Sequence, residues 1–427
     1  MKFAPPRGLR DFYPEEMRLR NRLFEVWRNV SRRVGFEEYD APVVETQDLL
    51  IRKSGEEIVH QIYTFEDKSG RRLALRPEMT PSLARMIVAR QKALSFPLKW
   101  CCIAQCFRYE RMMKGRKREH YQWNLDVVGE ESVSAEAEVI AAAIEALREL
   151  GLTSSDFQVR IGSRALLGEL FDAQKFDMRH FASACLMLDK RGKISDEKIR
   201  DLLRAEGLSG EDVETVFSIL KLVHLEEAAQ ILKGKTKALT DLERLFEAMT
   251  DYGLREYVTF DLSIIRGLAY YTGIVFEAFD TEKKFRAIFG GGRYDNLLST
   301  LGGPCVPSVG LGFGDVVVQE LLAHLGKQPT ASRSVDVAIG YMTLASQGLA
   351  IRAASMLRAR DLGVDLQLTA SKPGKFFRVA DKCGASWTVY IGPEEATRDA
   401  VNLKNMTTGD QVEVPVAQIA GRIAHET

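Results

Sequence analysis

The sequence predicts an α+β chain in which a domain built on a large antiparallel sheet, with a helical insertion, precedes a three-layer α/β domain. Three observations predict this fold class. Residues 14–150 show a helix pattern, several strand patterns and a second helix pattern. Residues from about 165 to 250 are charged and helical, and strands alternate with helices after residue 335. The length of 427 residues is ample for such domains.

The first elements follow from residue spacing and turn residues. Apolar side chains recur at helical spacing over residues 14–34, with Pro14 in the first turn and Gly35 after the last. Residues 36–45 are extended, and their Pro42 suits an edge strand. Two hairpins follow, and residues 135–150 form a helix. The strand segments of these hairpins are residues 63–67 with 70–80, and residues 97–110 with 120–131.

The second half divides into an insertion, a return to the first domain, a linker and a new domain. Thr240 and Glu243 predict a capping box within the helical insertion. The polar stretch 325–334 suits a linker, so we place the first domain at 1–325 and the second at 335–427. The strands that resume after the insertion are predicted at 256–265, 270–279 and 285–292.

Composition limits the function classes. Lysine plus arginine and aspartate plus glutamate number 59 each, and a net charge of zero does not exclude an RNA partner. No apolar run approaches ~20 residues, and the N-terminus lacks the apolar core of a signal peptide. These features predict no membrane span and a cytoplasmic location. The six cysteines form no C-x-x-C pair, which predicts neither structural zinc nor a disulfide.

The strongest candidate for chemistry is the hairpin of residues 107–126. Arg108 and Glu110 lie two apart, on one face, before a strongly basic loop. Cations at the loop suit phosphate, and a carboxylate and amide floor suits a small polar ligand. The alternative is a solvated charged turn. The polar side chains that share one face of the returning strand are Gln122, Asn124 and Asp126.

Two further segments carry weaker signals. Glu78 and Thr80 lie at a strand-to-helix junction, where a helix N-cap is an equally good interpretation. Arg266 lies in an apolar segment that contains glycine, so its charge needs an anion or an acidic partner. Two tyrosines, Tyr270 and Tyr271, follow it. The glycine-rich segments 289–303 and 306–322 permit close backbone approach, but they match neither G-x-G-x-x-G nor G-K-[ST].

In this order the motifs resemble those of histidyl-tRNA synthetases over essentially the whole chain. The resemblance implies a class II synthetase catalytic domain and a C-terminal anticodon-binding domain. Residues 36–45 are similar to motif 1, the dimerisation element, and the hairpin to Asp126 is similar to motif 2. The remaining similarities are RGLAYYTGIVFE and GGGRYDNLL to two histidine-specific signatures, and VGLGFGD to the glycine part of motif 3.

The resemblance implies a histidine–tRNA ligase. Such an enzyme activates histidine with ATP to histidyl-adenylate and pyrophosphate, then transfers histidine to the 3′ end of tRNA(His). The implied partners are histidine, ATP with Mg²⁺, tRNA(His) and a second copy of the chain in a homodimer. No resident metal is expected.

The resemblance also implies residue roles. Arg108 would contact the α-phosphate, Glu110 the adenine amino group and Arg116 the distal phosphates, with Arg266 as the catalytic cation. For the amino acid, Asp126 and Tyr271 would bracket the imidazole nitrogens. The remaining histidine-binding residues would be Glu78 and Thr80 at the amino group, Gln122 and Arg108 on the carboxylate side, Tyr270 beside the ring, and Arg266, which would act at the α-phosphate.

The chain departs from the family pattern at several places. In motif 3 the family has Glu-Arg after the glycines, and that arginine covers adenine. Here Gly314 is followed by Asp315 and Val316, so the cation is missing at that place. The other departures are Asp126 for the usual Glu, Ala269 for Asp and His120 for an adenine-stacking Phe.

Two other functions are compatible with parts of this pattern. One is a non-catalytic, histidine-sensing regulatory paralogue of histidine biosynthesis, which typically loses the catalytic arginine and the C-terminal domain. The other is a tRNA-binding or stress-sensing module, which usually lies within a larger chain. Because Arg266, Glu110, the basic loop and the α/β tail are all present, the sequence favours the enzyme.

Overall fold

A computed structural model describes residues 3–54, 61–110, 112, 115–188, 190–191, 194–265, 271–329 and 335–426. The chain divides into two compact units. The first consists of Met1–Phe12 with Leu19–Pro329, and the second of Tyr13–Arg18 with Thr330–Thr427. Each has hydrophobic clusters of its own.

The chain up to residue 324 forms eleven strands and twelve α-helices within the described residues. The strands are β1 Glu37–Glu38, β2 Val44–Thr46, β3 Thr64–Glu66, β4 Arg72–Leu75, β5 Leu98–Phe107, β6 Glu119–Val128, β7 Phe157–Ser163, β8 Val258–Phe260, β9 Ile274–Asp280, β10 Phe289–Arg293 and β11 Ser308–Gly314. The helices are α1 Pro14–Arg33, α2 Gln47–Ser54, α3 Thr80–Arg90, α4 Ser134–Glu149, α5 Arg164–Ala173, α6 Phe181–Leu188, α7 Asp196–Ala205, α8 Gly210–Ile219, α9 Leu225–Leu232, α10 Lys237–Asp251, α11 Leu297–Thr300 and α12 Asp315–His324.

Eight of these strands form one sheet in the order β1-β5-β6-β11-β10-β9-β7-β8. The pairs β1–β5 and β7–β8 are parallel and the remaining pairs are antiparallel. The architecture confirms the predicted α+β class with its mixed, mainly antiparallel sheet.

One face of this sheet packs on helices α1 and α4. The rings of Trp27, from α1, and Trp123, from β6, are stacked with centroids 5.8 Å apart, and both side chains are fully buried. Because side chains alternate along a strand, burial of Trp123, Leu125 and Val127 turns the even-numbered side chains of β6 to the opposite face. On β6 that opposite face is polar from His120 to Asp126, whereas Val128 at its end lies in an apolar cluster.

The segment after α1 differs from its prediction as one extended edge strand. β1 is an edge strand of the large sheet, whereas β2 lies in a separate sheet of order β2-β4-β3. Pro42 lies in neither strand, because a residue without an N–H falls most easily in the connection between two sheets. The predicted hairpin is confirmed, since β3 and β4 pair antiparallel.

The insertion is helical from α5 to α10, but one predicted cap is wrong. Helix α10 begins at Lys237, and Thr236 is its N-cap, accepting a hydrogen bond from Leu239 N. Thr240 lies inside the helix, where its Oγ1 donates to Thr236 O at 2.8 Å. An N-cap residue needs extended backbone, which Thr236 has, with φ −102° and ψ 170°.

The second unit is a three-layer α/β fold. Its five strands pair in the order β13-β12-β14-β15-β16, and the alternation along β12 buries side chains in two clusters on opposite faces of the sheet. The strands are β12 Val335–Tyr341, β13 Val364–Leu366, β14 Ala385–Ile391, β15 Ala400–Asn405 and β16 Gln411–Pro415. The helices are α13 Leu344–Arg358, α14 Pro373–Lys382, α15 Pro393–Thr397 and α16 Ile419–Glu426.

Across the described part of both units, the helices are too short or too polar to traverse a bilayer.

Candidate active site

A cavity of about 1520 Å³ lies on the polar face of the large sheet. This volume exceeds what one drug-sized ligand needs, so it can hold a nucleotide and an amino acid together. Eight of the ten residues predicted for the site line it, and the other two, Arg266 and Tyr270, lie outside the described residues. The eight are Glu78, Thr80, Arg108, Glu110, Arg116, Gln122, Asp126 and Tyr271.

Strand β6 provides the floor of the cavity. Its inward side chains form a hydrogen-bonded row, in which Gln122 Nε2 donates to Asn124 Oδ1 at 3.3 Å and His120 Nε2 meets Gln122 Oε1 at 3.2 Å. The period-two pattern in the sequence predicted that Gln122, Asn124 and Asp126 share a face, and the paired strand has that geometry.

Asp126 forms the buried end of this floor, with 1% of its surface exposed. The Tyr294 hydroxyl donates to Asp126 Oδ1, and burial, with the nearby Asp126 carboxylate, raises the pKa of Tyr294 well above its usual value. Tyr294 therefore stays a neutral donor at physiological pH. Tyr271 is buried at the same end and lines the cavity.

Sequence reasoning did not assign Tyr294 to the site. It follows β10 directly, in the segment GGGRYDNLL, which resembles a histidine-specific signature but in which we assigned no residue a role. The signal that could have found it is the strand order, because β11 pairs with both β10 and β6 and so brings Tyr294 towards Asp126.

Two glycines of β11 leave space for the floor. Gly310 pairs with Asp126, and a β-carbon built on it would lie 2.2 Å from Asp126 Oδ1. A β-carbon on Gly312 would lie 2.4 Å from Gln122 Nε2. Because real side chains do not approach so closely, glycine at these positions permits the floor side chains to lie flat across the sheet.

The strand-to-helix junction before α3 forms a wall of the cavity and is hydrogen-bonded to Arg108, which follows β5. Helix α3 begins at Thr80, and its N-cap is Met79, which makes no side-chain capping bond. The alternative in which Thr80 caps the helix is therefore wrong. Arg108 Nε donates to Pro77 O at 3.0 Å, which places Arg108 beside Glu78 and Thr80 on the wall.

At the opposite end of the floor the cavity is cationic. Arg116 Nη1 lies 2.6 Å from Glu110 Oε2. Burial lowers the pKa of Arg116, the Glu110 carboxylate opposes that effect, and the positive charges of Arg286 and Arg108 add to it. The loop is fixed by Gly115 N, which donates to Glu320 Oε1 of α12 at 3.2 Å.

The predicted loop cations do not act as one group. Arg116 and Lys117 line the cavity. Arg118 instead lies over the Tyr109 ring, 4.1 Å from its centroid, and its Nε donates to Glu110 O at 3.3 Å. Arg111 and Lys114 lie outside the described residues.

Asp315, the residue at the departure in motif 3, is buried and structural. Its Oδ2 accepts from Arg10 Nη2 at 3.0 Å and its Oδ1 from Tyr121 N at 2.9 Å. Arg10 also pairs with Glu119, so one arginine ties the N-terminal segment to β6 and to the start of α12. Val316, the next residue, lines the cavity with an apolar side chain.

His120 occupies the floor near the cationic end. Burial, followed by the nearby Arg108 charge, lowers the pKa of His120 to about 3, although a hydrogen bond to Gln122 opposes the shift. The ring is therefore neutral at physiological pH and presents an aromatic face without adding positive charge.

The insertion contributes one wall that sequence reasoning missed. The turn between α6 and α7 borders the cavity, although its residues are far from the sheet in sequence. No motif marks this wall, because only the folded chain brings the insertion to the sheet. Its described lining residues are Leu188, Arg191, Ile194, Ser195 and Asp196. Within the described ranges, no three His, Cys, Asp or Glu side chains converge as a metal site.

Comparisons with known proteins place these features in a family context. Residues 8–314 match the family model of histidyl-tRNA synthetase, and residues 336–426 match that of an anticodon binding domain. The chain is 44% identical to the chloroplastic/mitochondrial histidine–tRNA ligase of Arabidopsis thaliana, over 97% of this chain and 85% of that protein.

Other matches extend this similarity. The histidine–tRNA ligase of Natronomonas pharaonis is 40% identical over 96% of this chain and 95% of its own length. The crystal structure of histidyl-tRNA synthetase from Nostoc superposes with a TM-score of 0.84 at 27% identity, covering all of both chains.

Proposed function

This chain belongs to the histidyl-tRNA synthetase family and is a histidine–tRNA ligase, and we propose that the cavity on the large sheet is its active site. One observation carries the proposal. Residues from three separated segments, each predicted to bind histidine or ATP, line a single cavity with a buried carboxylate at one end and cations at the other.

Histidine would occupy the buried end. Asp126 accepts from one imidazole nitrogen, and Tyr271 faces the other, with Tyr270 beside the ring. Tyr294 is already engaged as a donor to Asp126 and thereby orients its carboxylate. A side chain without two ring nitrogens would leave these buried groups unpaired, so it would be rejected strongly. Glu78 and Thr80 receive the amino group, and Gln122 lies near the carboxylate.

ATP would occupy the cationic end. Arg108 contacts the α-phosphate, Glu110 accepts from the adenine amino group, and Arg116 binds the distal phosphates. His120, neutral and part of the floor, offers an aromatic face to the base. Mg²⁺ enters as part of the substrate, bound mainly by phosphate oxygens and water, as is usual for magnesium with nucleotides.

The chemistry needs no nucleophile from the protein. The histidine carboxylate attacks the α-phosphorus, the bond to the β-phosphate oxygen breaks, and pyrophosphate leaves. Two anions must approach each other in this step, and the guanidinium groups of Arg108 and Arg266 lower the cost where charge develops. In the second step the 3′-terminal ribose hydroxyl of tRNA(His) attacks the acyl carbon of the adenylate and AMP leaves.

Catalysis and anticodon binding are assigned to separate domains. We assign catalysis to residues 1–325, with the insertion at about 165–250, and anticodon binding to residues 335–427. The two family matches, to residues 8–314 and 336–426, support this division. Unpaired anticodon bases suit recognition by stacking and by hydrogen bonds to base edges.

We also propose a homodimer. The small sheet of β2, β4 and β3 has an apolar face on which Val44 is 39% and Phe65 is 43% exposed, with Leu73 and Leu75 between them by strand register. An exposed apolar face of this kind suits burial against a second copy. Sedimentation of the wild-type chain and of Phe65→Glu tests this: a dimer is expected for the first, and a weaker dimer for the second.

A cytoplasmic location is the remaining proposal. All six cysteines are free thiols, which suits a reducing compartment. Immunolocalisation of the endogenous protein tests it, and signal confined to an organelle would overturn it.

Histidine-dependent ATP–pyrophosphate exchange tests the main proposal. Exchange with histidine, but not with other amino acids, is expected. A regulatory paralogue would bind histidine without exchange, so binding of labelled histidine by a protein that shows no exchange would replace the ligase with that alternative.

A further inference from the structure

The cationic end of the cavity contains a second arginine that neither the motifs nor the proposed roles include. Arg286 lies in the turn between β9 and β10, is half-buried, and lines the cavity. A β-carbon built on Gly115 would lie 3.8 Å from Arg286 Cδ, and Gly115 precedes Arg116. Two guanidinium groups therefore converge from different segments of the chain.

Their charges are not balanced in the same way. Arg116 is paired with Glu110 at 2.6 Å. Within the part of the chain that the structure describes, no hydrogen bond or ion pair engages the Arg286 guanidinium. Glu320 of α12 lies beside the same loop, where its Oε1 accepts from the Gly115 backbone at 3.2 Å and its Oε2 lies 3.8 Å from the position of the Gly115 β-carbon.

Two like charges that converge favour the binding of an anion between them. Arg286 is close enough to Arg116 for its positive charge to lower the pKa of Arg116. A multiply charged anion between the two groups would convert this repulsion into attraction, and planar guanidinium groups match phosphate oxygens well.

We infer that Arg286 is a substrate-binding residue, which together with Arg116 binds the β- and γ-phosphates of ATP and the pyrophosphate that leaves. The inference rests on the proposed function, because it assumes that the cavity holds ATP. The α-phosphate is assigned to the Arg108 end, and the apolar Val317 lies beside the same Gly115, 3.6 Å from the position of its β-carbon. The Arg286 side chain therefore lies beside the loop to which the distal phosphates are assigned.

The test compares ATP with AMP, which lacks the two distal phosphates. Equilibrium dissociation constants of both are measured by calorimetry on the full chain, for the wild type and for Arg286→Ala. We expect Arg286→Ala to weaken ATP binding about tenfold, since one charge-assisted contact is lost, and to leave AMP binding within about twofold. Arg286→Lys keeps the charge and should recover part of the loss.

A neighbouring cation provides the matched control. Lys284 lies in the same turn, its Nζ is 2.7 Å from Glu282 Oε2, and it is not among the residues that line the cavity. Lys284→Ala should leave both dissociation constants unchanged. If it weakens ATP as much as Arg286→Ala does, the effect is general electrostatics and the inference is wrong.

The remaining outcomes separate this inference from the proposed function. Wild-type protein without histidine-dependent exchange overturns the proposed function, whatever Arg286→Ala does. Normal wild-type exchange with unchanged ATP binding in Arg286→Ala overturns only the role of Arg286. Equal weakening of ATP and AMP places the contact at the base or the α-phosphate and overturns the assignment to the distal phosphates.

Discussion

The two ends of the cavity recognise their ligands by different physical means. At the proposed histidine end, Asp126 is 1% exposed, Tyr294 donates to it, and Gly310 leaves it just enough space. At the proposed phosphate end, Arg116 keeps 31% of its side-chain surface exposed. Its neighbour Arg286 is also half-buried.

This difference matches what each end must do. Selection of one amino acid depends on buried polar groups that the wrong ligand leaves unpaired, so it requires rigid, close packing. Binding of a triphosphate depends on charge, which acts over longer distances and tolerates small differences in geometry. We therefore expect small steric changes to be severe at the first end, and charge deletions to have moderate effects at the second.

The largest effect should come from one methyl group at the histidine end. Gly310→Ala would place a β-carbon 2.2 Å from Asp126 Oδ1 and displace that carboxylate. Histidine-dependent exchange should fall by about 10³-fold, because the buried groups no longer match the imidazole, while ATP binding stays within about twofold. Steady-state exchange and calorimetry measure the two quantities.

Gly210→Ala is the matched control, since a β-carbon there meets no neighbouring atom within 4 Å. Thermal unfolding of Gly310→Ala shows whether the variant is folded. If that variant is misfolded, Asp126→Asn tests the same end without added volume. A folded Gly310→Ala with normal histidine KM would contradict the assignment of this end.

The next largest effect should come from Arg266, which we assign as the catalytic cation. Arg266→Ala should lower the rate of adenylation by about 10²-fold or more, because a preorganised charge at the reacting phosphate is lost. Single-turnover formation of histidyl-adenylate measures this rate. Unchanged turnover would remove Arg266 from the mechanism.

A smaller effect is expected at the phosphate end. Arg116→Ala should raise the KM for ATP about tenfold and leave the KM for histidine unchanged, because one charged contact is lost from a partly exposed site. Arg118→Ala is the control from the same loop, since its guanidinium lies over the Tyr109 ring. An equal rise in both KM values would show that the loop does not act on the phosphates alone.

The smallest effect concerns His120, which lies on the floor near the cationic end. Its pKa of about 3 in the folded chain lies below the value of about 6.5 for an unfolded histidine. Below pH 6.5 the His120 imidazole therefore binds a proton in the unfolded state but not in the folded state. The stability that neutral His120 contributes is complete above pH 6.5 and is lost progressively as the pH falls towards 3.

Between pH 7 and pH 5 the free energy of unfolding of the wild type should fall by about 1 kcal/mol more than that of His120→Gln. This figure is reduced because water reaches the cavity wall. Urea unfolding followed by tryptophan fluorescence at the two pH values measures it. Glutamine can still donate to Gln122 Oε1, so packing of the floor is retained. An identical pH dependence in both proteins would contradict the low pKa.

Local patterns predicted much of the fold. The spacing of apolar residues gave α1, and the two hairpins followed from their turn residues and alternating strands. The prediction failed where neighbours far along the chain decide the outcome. Pro42 ended between two sheets, and the cap of α10 lies at Thr236 rather than Thr240, because several residues there can satisfy the same local rule.

The candidate site was predictable where it depends on strand periodicity. The alternation of β6 placed Gln122, Asn124 and Asp126 on one face. Tyr294, Arg286 and the wall from the insertion were not found, because their contacts join segments separated by more than about a hundred residues and have no local periodic signal.

The sequence by itself determined the family of this protein, its α+β class and the identity of the residues able to bind an imidazole and a triphosphate. Those properties depend on residue types and on spacing along short segments of the chain. The tertiary structure alone decided which of them meet, how deeply each is buried and, among the described residues, how each cation is paired. The physical reason is that distance, burial and the local dielectric are set by packing between segments, and packing controls both the strength of a charge and the space available to a ligand.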